Sequence, residues 1–426
     1  MATLTPFCGI RFNTEHVRLG GVLAPPYDVI SPQQLEELYA RDLRNIVRID
    51  FGRQYPDDRD GEEDRYTRAD AFLESWLLLQ ILIQDREPSL YVSDHEFTDP
   101  NDGSVRHRRG IFGTLAAVPW DRSELRPHER TLSAPKADRL ALLRATGVHT
   151  SAVFAVWAGA GDVDAVLDEI TSRPPLQGGR TPGEFGSEKL LLWRVAKDVA
   201  TRLQRALQPA RLYVADGHHR YETAVAYAEE RRRDDPRAPA GSPFERCLVY
   251  LSDSSDPGLT ILPTHRLLRP GRDAAFSIDD LWARLDDAWE VLPAASVAAA
   301  FADSGGMRET HHAFAVVDER GAAVLRRLRG EATSPRDSLD VVVLQEEVLA
   351  PAGATPEAVA EGALGFTRDL AELEASVQRG DALLGFGVQP VSPAELIAVA
   401  DAGETMPQKS TYFYPKVPTG LVLAPT

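Results

Sequence analysis

The fold of this chain is constrained most by residues 211–230, which read RLYVADGHHRYETAVAYAEE. A β-branched and aromatic run over residues 212–214 predicts a buried strand, and Asp216-Gly217 is a turn dipeptide. Beyond the turn, apolar residues recur at positions 221, 224, 225 and 228, which is the spacing of an amphipathic helix. The sequence therefore predicts a strand, a tight turn and a helix, in that order.

Four polar side chains stand at this turn and at the start of the helix, namely Asp216, His218, His219 and Arg220. Free backbone N–H groups and the positive end of the helix dipole point to the same place, which is the geometry of an anion-binding site. Gly217 lets a ligand approach the backbone because it has no Cβ. Arg220 offers a fork of donors to phosphate oxygens, and Asp216 would hold Mg²⁺ or orient a hydroxyl. The alternative is a capped helix start with two solvated histidines.

Composition and charge argue against several classes of protein. The 426 residues are enough for two or three domains, and 43% hydrophobic with 26% charged residues is typical of a globular chain. The net charge of −17 argues against a nucleic-acid-binding surface. Cys8 and Cys247 cannot form a disulfide framework or a zinc site of their own. Residues 1–20 lack a signal-peptide pattern and residues 76–83 are too short to span a bilayer, so we expect a cytoplasmic protein without a membrane partner.

The order of helix and strand patterns predicts an α+β protein in three sections. Residues 1–117 are predicted to form an N-terminal α+β section, and residues 118–270 a central core. Residues 271–426 are predicted to form a C-terminal α+β section that closes with a polar and aromatic segment.

Four stretches give local predictions that a structure can test. Residues 47–51 alternate between apolar and polar side chains, which predicts a half-buried strand. The Pro- and Gly-rich residues 173–186 are predicted to be a loop, and residues 190–207 a single helix. The Ala-rich C-terminal section is predicted to open with a helix over residues 278–289.

The charged cluster Pro127-His128-Glu129-Arg130-Thr131 is predicted to lie in a loop. Glu129 is a candidate general base there, flanked by a histidine and an arginine. The alternative is an exposed charged loop that precedes a helix.

Three further groups of polar residues lie near turns or in irregular segments. Lys409, Ser410 and Thr411 place a cation and two hydroxyls in an aromatic segment, whose alternative role is a C-terminal strap that packs its Tyr and Phe side chains. The other two groups are the turn-adjacent pairs Tyr27-Asp28 and His265-Arg266.

The usual phosphate-binding and hydrolytic motifs are absent, including GxxxxGK[ST], GxGxxG after a strand, GxSxG and HExxH. The segments PPYDVI, NIVRI, PHERT, VADGHHRYETA, LPTHR and MPQKSTYFYPK together resemble the bacterial and archaeal family catalogued as domain of unknown function 1015. The resemblance covers nearly the whole chain, and the name of the family implies no activity.

The pair PHE and DGHHR also resembles the archaeal free-serine kinase of the ParB/sulfiredoxin superfamily, in which a nucleotide donates phosphate to the hydroxyl of free L-serine. This resemblance covers residues 118–230 and implies a ParB/sulfiredoxin-like mixed α/β core. It implies that Glu129 takes the proton of the acceptor hydroxyl and that Asp216 assists at the metal or at that hydroxyl. Residues 217–220 would then hold the nucleotide phosphates. The gap between the two motifs is longer in this chain, so the resemblance is less close at Glu129 than at the turn.

Together these arguments give three sets of candidate residues. The catalytic candidates are Glu129, Asp216 and His218, with Asp216 also the candidate metal ligand. The candidates for nucleotide binding are Gly217, His219, Arg220, Lys409, Ser410 and Thr411. The candidates for substrate binding are His128, Arg130, Thr131, Tyr27, Asp28, His265 and Arg266.

Two related branches differ from this chain at the turn. Sulfiredoxins resemble the motif but carry a catalytic cysteine after the glycine, where this chain has His218. ParB proteins carry a G-E-R-R version and a helix-turn-helix domain, and the sequence contains no basic recognition helix.

The sequence thus predicts a phosphotransferase that moves a phosphoryl group from ATP or ADP to the hydroxyl of a small, serine-like free amino acid, with Mg²⁺. One alternative is a nucleotide-binding regulatory protein that transfers no phosphate, and another is a ParB-like DNA-segregation protein. A kinase needs Glu129 close to the turn at Asp216, whereas a regulatory switch does not. The sequence leaves the acceptor, the donor and the oligomeric state open.

Overall fold

The computed structural model describes residues 3–59, 61–129, 133–269, 282–283, 285 and 287–426. Its α-helices are α1 Leu19–Val22, α2 Pro32–Arg41, α3 Val47–Asp50, α4 Arg65–Leu78, α5 Ser133–Thr146, α6 Val163–Thr171, α7 Lys197–Leu207, α8 His218–Asp234, α9 Val297–Gly306, α10 Asp340–Val343, α11 Pro356–Ala360, α12 Leu370–Gln378 and α13 Pro393–Asp401. A π-helical segment, Leu344–Leu349, follows α10. Short 3₁₀ helices lie at Tyr27–Val29, Trp120–Arg122 and Pro243–Glu245.

The strands are β1 Ile10–Phe12, β2 Leu82–Gln84, β3 Tyr91–Thr98, β4 Val105–Ala116, β5 Leu125–Arg126, β6 Val148–His149, β7 Val153–Ala158, β8 Gln177–Gly183, β9 Gly186–Arg194, β10 Arg211–Asp216, β11 Arg246–Asp253, β12 Thr260–Leu262, β13 His265–Leu268, β14 Trp289–Ala294, β15 His311–Asp318, β16 Gly321–Leu328, β17 Leu364–Thr367, β18 Leu384–Gly387, β19 Tyr412–Tyr414 and β20 Ala424–Pro425. Helices and sheets of both kinds are present, so the predicted α+β class is confirmed. The ParB/sulfiredoxin-like assignment of the core stays a prediction.

The described chain forms two compact units. The first contains residues 3–127, 133–260 and 413–426, so the C-terminal residues return to the unit in which the chain begins. The second contains His128, Glu129 and the described residues between 261 and 412. The three-section division at residues 117 and 270 stays a prediction.

The first unit is built on a mixed eight-stranded sheet with the strand order β5-β10-β7-β11-β4-β3-β9-β8. Strand β10 runs parallel to β5 and antiparallel to β7, and β11 runs parallel to β7. The strand that leads to the Asp216 turn therefore lies between two neighbours, and its residues 212–215 are buried. Backbone groups of such an inner strand are satisfied on both sides, which holds the end of the strand in a fixed position.

The two faces of this sheet differ in composition. One face packs on helices α6, α7 and α8 through aliphatic residues such as Val153, Leu203 and Leu212. The other face carries aromatic side chains in one register row, because Asp216 pairs with Phe154, Phe154 with Tyr250, Tyr250 with Phe112 and Phe112 with Tyr91. Asp216 thus stands at the end of an aromatic row that crosses the sheet.

The second unit contains a six-stranded sheet with the order β14-β16-β15-β18-β13-β17. Each pair of neighbouring strands in this sheet is antiparallel. Helix α12 packs on this sheet through Leu373 and Val377, and helix α9 through Ala300. Strands β15 and β16 form a hairpin in which Asp318 pairs with Gly321.

Helix starts follow the capping signals in the sequence. Ser31 and Ser392 each accept a hydrogen bond from the backbone N–H of the third helical residue, and that residue's side chain bonds back to the serine N–H. Each pair is a complete capping box with a proline in the first turn of the helix.

The predicted strand at residues 47–51 is wrong, because residues 47–50 form helix α3. Asn45 Oδ1 accepts a hydrogen bond from the backbone N–H of Val47 at 3.0 Å and so fixes the first turn. A run of four or five residues is too short for the apolar period to separate strand from helix.

The predictions for residues 173–207 are wrong in part. The Pro- and Gly-rich stretch contains β8, the edge strand of the large sheet, and β9 takes the first five residues of the predicted helix, 190–194. An edge strand tolerates Pro182 because one side of the strand makes no ladder bonds. The second half of the predicted helix is confirmed as α7.

Half of the helix predicted at residues 278–289 falls outside the described residues, and Trp289 begins strand β14 instead. Within the described part of the chain, no helix has both the length and the apolar character needed to cross a bilayer.

We expect Gly110→Ala to destabilise the first unit by about 1–3 kcal/mol, because a Cβ at this position would overlap the buried ring of Tyr250. Gly306→Ala is the matched control, since nothing lies within 4 Å of its added Cβ. Urea unfolding should show a loss for Gly110→Ala and, for Gly306→Ala, no change or a gain of at most about 1 kcal/mol. Equal midpoints for the two variants would contradict the packing of Tyr250 on Gly110.

Candidate functional site

The turn at Gly217 joins β10 to the 17-residue helix α8. Gly217 has a φ of +94° and occupies the N-cap position without a side-chain cap. A Cβ at this position would lie 2.8 Å from Arg220 Nε. Glycine is therefore required here for two reasons: it adopts the left-handed backbone conformation, and it leaves room for the Arg220 guanidinium.

Asp216, the last residue of β10, is held by two cations. Its Oδ1 accepts a hydrogen bond from Lys416 Nζ at 2.8 Å, and its Oδ2 accepts one from Arg220 Nη2. Burial by itself would raise the pKa of Asp216, but the charges of Lys416 and Arg220 outweigh it and hold the pKa well below its ordinary value. Asp216 is therefore an ionised carboxylate in a triad of charges with little exposure to solvent.

Arg220 is 8% exposed, and its donors turn back onto the protein. Nη1 donates to the carbonyl of Ala152, and Nη2 donates to Asp216. Both terminal nitrogens of the guanidinium, which the sequence offers as phosphate ligands, are thus already hydrogen-bonded within the protein.

Tyr27 and Asp28, a turn-adjacent polar pair, lie near enough to Arg220 to interact with it electrostatically. The Arg139 guanidinium lies 4.0 Å from the centre of the Tyr27 ring. Burial, and next the charge of Asp28, raise the pKa of Tyr27 to about 12. The phenol is therefore neutral at physiological pH.

The two histidines of the turn differ in their surroundings. His218 is buried, with its ring centre 6.3 Å from that of Trp120, and its charge acts on Asp216. His219 is half-buried, and its carbonyl accepts a hydrogen bond from Thr223 Oγ1 at 2.8 Å. We call these residues the turn cluster: Tyr27, Asp28, Asp216, Gly217, His218, His219, Arg220 and Lys416.

Glu129 lies in the second unit, beside the C-terminal segment that begins at Met406. The backbones of Glu129 and Met406 form a parallel bridge, and the Met406 N–H donates to the carbonyl of His128 at 2.8 Å. Glu129 Oε1 accepts a hydrogen bond from the backbone N–H of Lys409 at 3.3 Å. His128 Nε2 lies 3.2 Å from Thr411 Oγ1. His128 and Glu129 thus contact Thr411 and Lys409, which belong to a predicted group far away in the sequence.

Arg266 joins the same group of residues. It is 4% exposed, and its Nη2 donates to the carbonyl of Lys409 at 3.2 Å. Burial lowers the pKa of Arg266 to about 10, although the charge of Glu129 opposes that shift. We call these residues the loop cluster: His128, Glu129, Arg266, Lys409 and Thr411.

The remaining candidates have other partners or fall outside the described residues. The Ser410 hydroxyl donates to the carbonyl of Pro407 at 2.6 Å. His265 Nδ1 accepts the backbone N–H of Val388 at 3.2 Å, and burial lowers the pKa of His265 to about 4. Arg130 and Thr131 lie outside the described residues.

Lys416 is the member of the turn cluster that the sequence interpretation missed. It stands in the motif MPQKSTYFYPK, of which only residues 409–411 were singled out. The second lysine of that motif is the signal that would have identified it. Among the described residues, no group of three or more His, Cys, Asp or Glu side chains is arranged to hold a metal ion.

Comparison with known proteins identifies the family. A family model described as protein of unknown function (DUF1015) matches residues 4–342. The chain belongs to the DUF1015 family. No curated protein matches this DUF1015 protein.

Solved structures resemble it weakly. One is a conserved hypothetical protein from Pyrococcus furiosus, with 13% identity and a TM-score of 0.38, covering 74% of this chain and 95% of that one. A second is a free serine kinase in complex with AMP, with 12% identity and a TM-score of 0.38, covering 73% and 92%. A third is SbnI with a C-terminal truncation from Staphylococcus aureus, with 13% identity and a TM-score of 0.37, covering 74% and 87%. Likeness at this level carries no conclusion about activity.

We expect Gly217→Ala to destabilise the protein more than Gly159→Ala. Both glycines have positive φ, +94° and +72°, so both variants lose about 1–2 kcal/mol from backbone strain. Nothing lies within 4 Å of a Cβ at Gly159, whereas Gly217→Ala must also displace the Arg220 guanidinium. Urea unfolding of both variants gives the difference, and equal losses would contradict the contact between the turn and Arg220.

The buried histidines His265 and His149 predict a pH dependence of stability. Burial lowers the pKa of each to about 4, whereas the unfolded imidazole protonates near pH 6.5. Protons therefore bind the unfolded state preferentially as the pH falls from 6.5 to 4, and stability falls by at most about 1.4 kcal/mol per pH unit for each histidine.

The measurement is urea unfolding at several pH values between 7 and 4. His265→Gln should remove part of the slope, and the double variant with His149→Gln should remove more. A slope that is unchanged in the double variant would show that other groups cause it.

Proposed function

We propose that this protein is a phosphotransferase that moves a phosphoryl group from ATP or ADP to the hydroxyl of a small, serine-like free amino acid. The observation that carries the proposal is the turn cluster. An uncapped glycine turn opens a long helix, and two cations, the half-buried Lys416 and the buried Arg220, are bonded to the carboxylate that precedes the glycine.

The chemistry of phosphoryl transfer matches this arrangement. The reaction needs positive charge and backbone donors around the phosphates, and precise positioning of the donor and acceptor oxygens. A helix N-terminus supplies backbone N–H groups and a partial positive charge. Lys416 and Arg220 add formal positive charge beside the same turn.

Glu129 is the proposed general base. Its Oε1 bonds to the backbone N–H of Lys409, and its charge acts on the buried Arg266. A carboxylate that is oriented in this way can accept the proton of a hydroxyl in the transition state.

Mg²⁺ enters the proposal as the ion that accompanies the nucleotide phosphates. Asp216 was the predicted metal ligand, and both of its oxygens already accept hydrogen bonds from protein cations. We therefore assign Asp216 first to holding Lys416 and Arg220. The serine-like acceptor comes from the resemblance of the PHE and DGHHR motifs.

The test is to incubate the protein with Mg²⁺, ATP or ADP and a pool of free amino acids, and to search for phosphorylated products by mass spectrometry. Glu129→Gln should lower the rate by about 10²–10⁴-fold, because it removes the base. Asp216→Asn should also lower it, because it releases Lys416 and Arg220. Circular dichroism should show that both variants fold.

Glu229→Gln is the matched control, since Glu229 is an exposed residue of helix α8, and it should keep the wild-type rate. Nucleotide binding without any phosphorylated amino acid would contradict the phosphotransferase and favour the regulatory alternative. Binding of DNA without nucleotide binding would favour the ParB-like alternative.

A further inference from the structure

We propose that Lys416 is the residue that contacts the nucleotide phosphates and that Asp216 is the positioning residue that holds Lys416 for this purpose. This inference rests on the proposed function and deepens it, because it assigns the phosphate contact to a residue of the C-terminal segment. That segment lies outside residues 4–342, which the family model matches.

Burial separates Lys416 from the other lysines. The chain has five lysines, at positions 136, 189, 197, 409 and 416. The Lys416 side chain is 10% exposed, whereas those of Lys136 and Lys189 are 36% and 40% exposed. Lys197 and Lys409 are exposed as well. A lysine is seldom buried unless it is paired or has a ligand, because its ammonium is strongly hydrated.

The fold uses several contacts to bring Lys416 to the turn. The Phe413 ring packs against Phe154 with 5.4 Å between the ring centres. The Tyr414 carbonyl accepts a hydrogen bond from the buried Arg108 Nη1 at 3.3 Å, and its hydroxyl donates to Glu188 Oε1 at 3.3 Å. Residues 413–416 are thus anchored on the aromatic face of the sheet, and the last of them reaches Asp216.

The position of Lys416 is unfavourable for stability alone. The N-terminal end of a helix carries a partial positive charge, so cations are stabilising at the other end. At the start of α8, two cations are hydrogen-bonded to the single carboxylate of Asp216. The other charged groups that act on Arg220 are Asp28 and Asp50, and Asp50 is itself paired with Arg139. The formal charges of Lys416 and Arg220 are matched by those of Asp216 and Asp28, so a bound anion at the turn would meet the partial positive charge of the helix start.

A lysine suits this role better than the neighbouring arginine. Arg220 is committed to the Ala152 carbonyl and to Asp216, and its planar fork cannot turn without losing both. The ammonium of Lys416 is a compact charge on a flexible stem, which can follow a phosphate while it stays near Asp216. Phosphate groups with two or three negative charges, as in ADP or ATP, are the chemical class that this site would take.

Chemical labelling tests which lysine lies at the phosphates. A nucleotide that carries an acyl group on its terminal phosphate transfers that group to a nearby amine; the amine nitrogen forms the amide, the acyl–oxygen bond breaks, and the nucleotide leaves with the electron pair. We expect peptide mapping to find acylated Lys416 and unmodified ADP or ATP to suppress that labelling. Lys197 is the control, and its labelling should be insensitive to nucleotide. Nucleotide-protected labelling at Lys409 but not at Lys416 would overturn the inference.

Binding measurements on variants supply a second test. Lys416→Gln should weaken ADP binding in calorimetry by roughly 10- to 100-fold, the usual value of a charge-assisted bond. Lys416→Arg should recover part of the affinity, and Lys197→Gln should bind like the wild type. Binding of adenosine, which has no phosphate, should be equal in the wild type and in Lys416→Gln, which separates a phosphate contact from damage to the fold.

The outcomes distinguish this inference from the proposed function. If the wild type binds neither ADP nor ATP, the proposed function fails and this inference fails with it. If the wild type binds ADP and Lys416→Gln binds it with equal affinity, this inference alone fails. If Lys416→Gln loses ADP and adenosine equally, the lysine is structural and the phosphate contact is refuted.

Discussion

The arrangement of the first unit depends on the buried ion pairs of Asp216. This carboxylate ends an inner strand of the large sheet and bonds to Arg220, one turn into the next helix, and to Lys416, 200 residues further along the chain. Buried charges are tolerated only when they are paired. Removing one partner leaves the remaining charges buried without compensation, and this destabilises the fold. The pairing therefore fixes the end of the strand, the start of the helix and the last segment of the chain to each other.

The aromatic face of the sheet explains why the last segment can lie there. A face built from rings such as Phe154 and Tyr250 offers apolar contact to the rings of Phe413 and Tyr414. Arg108 lies among the same rings, 4.9 Å from the centre of Phe154, and holds the Tyr414 carbonyl. The C-terminal segment thus accepts one hydrogen bond from Arg108 on this face and at the same time brings the cation of Lys416 to the turn.

Sequence patterns were reliable where the chemistry is local. The strand, turn and helix predicted within residues 211–230 depend on residues close together in the chain, and they are confirmed as β10, Gly217 and α8. The edge strand β8 was missed because its Pro and Gly content is that of a loop, and only its place at the edge of the sheet permits it. Helix α3 was missed because four residues do not establish a period.

The candidate site divides in the same way. The sequence by itself determined the glycine turn with its polar neighbours, since a strand, a glycine and a helix start are written in consecutive residues. The tertiary structure alone decided that Arg220 turns inward, that Lys416 reaches Asp216 and that Glu129 bonds to Lys409. These contacts join residues that are up to 280 positions apart, and such pairs form only when the folded sheets bring distant segments together. Local sequence patterns do not reveal these contacts, because the residues next to each partner in the sequence would be the same without the contact.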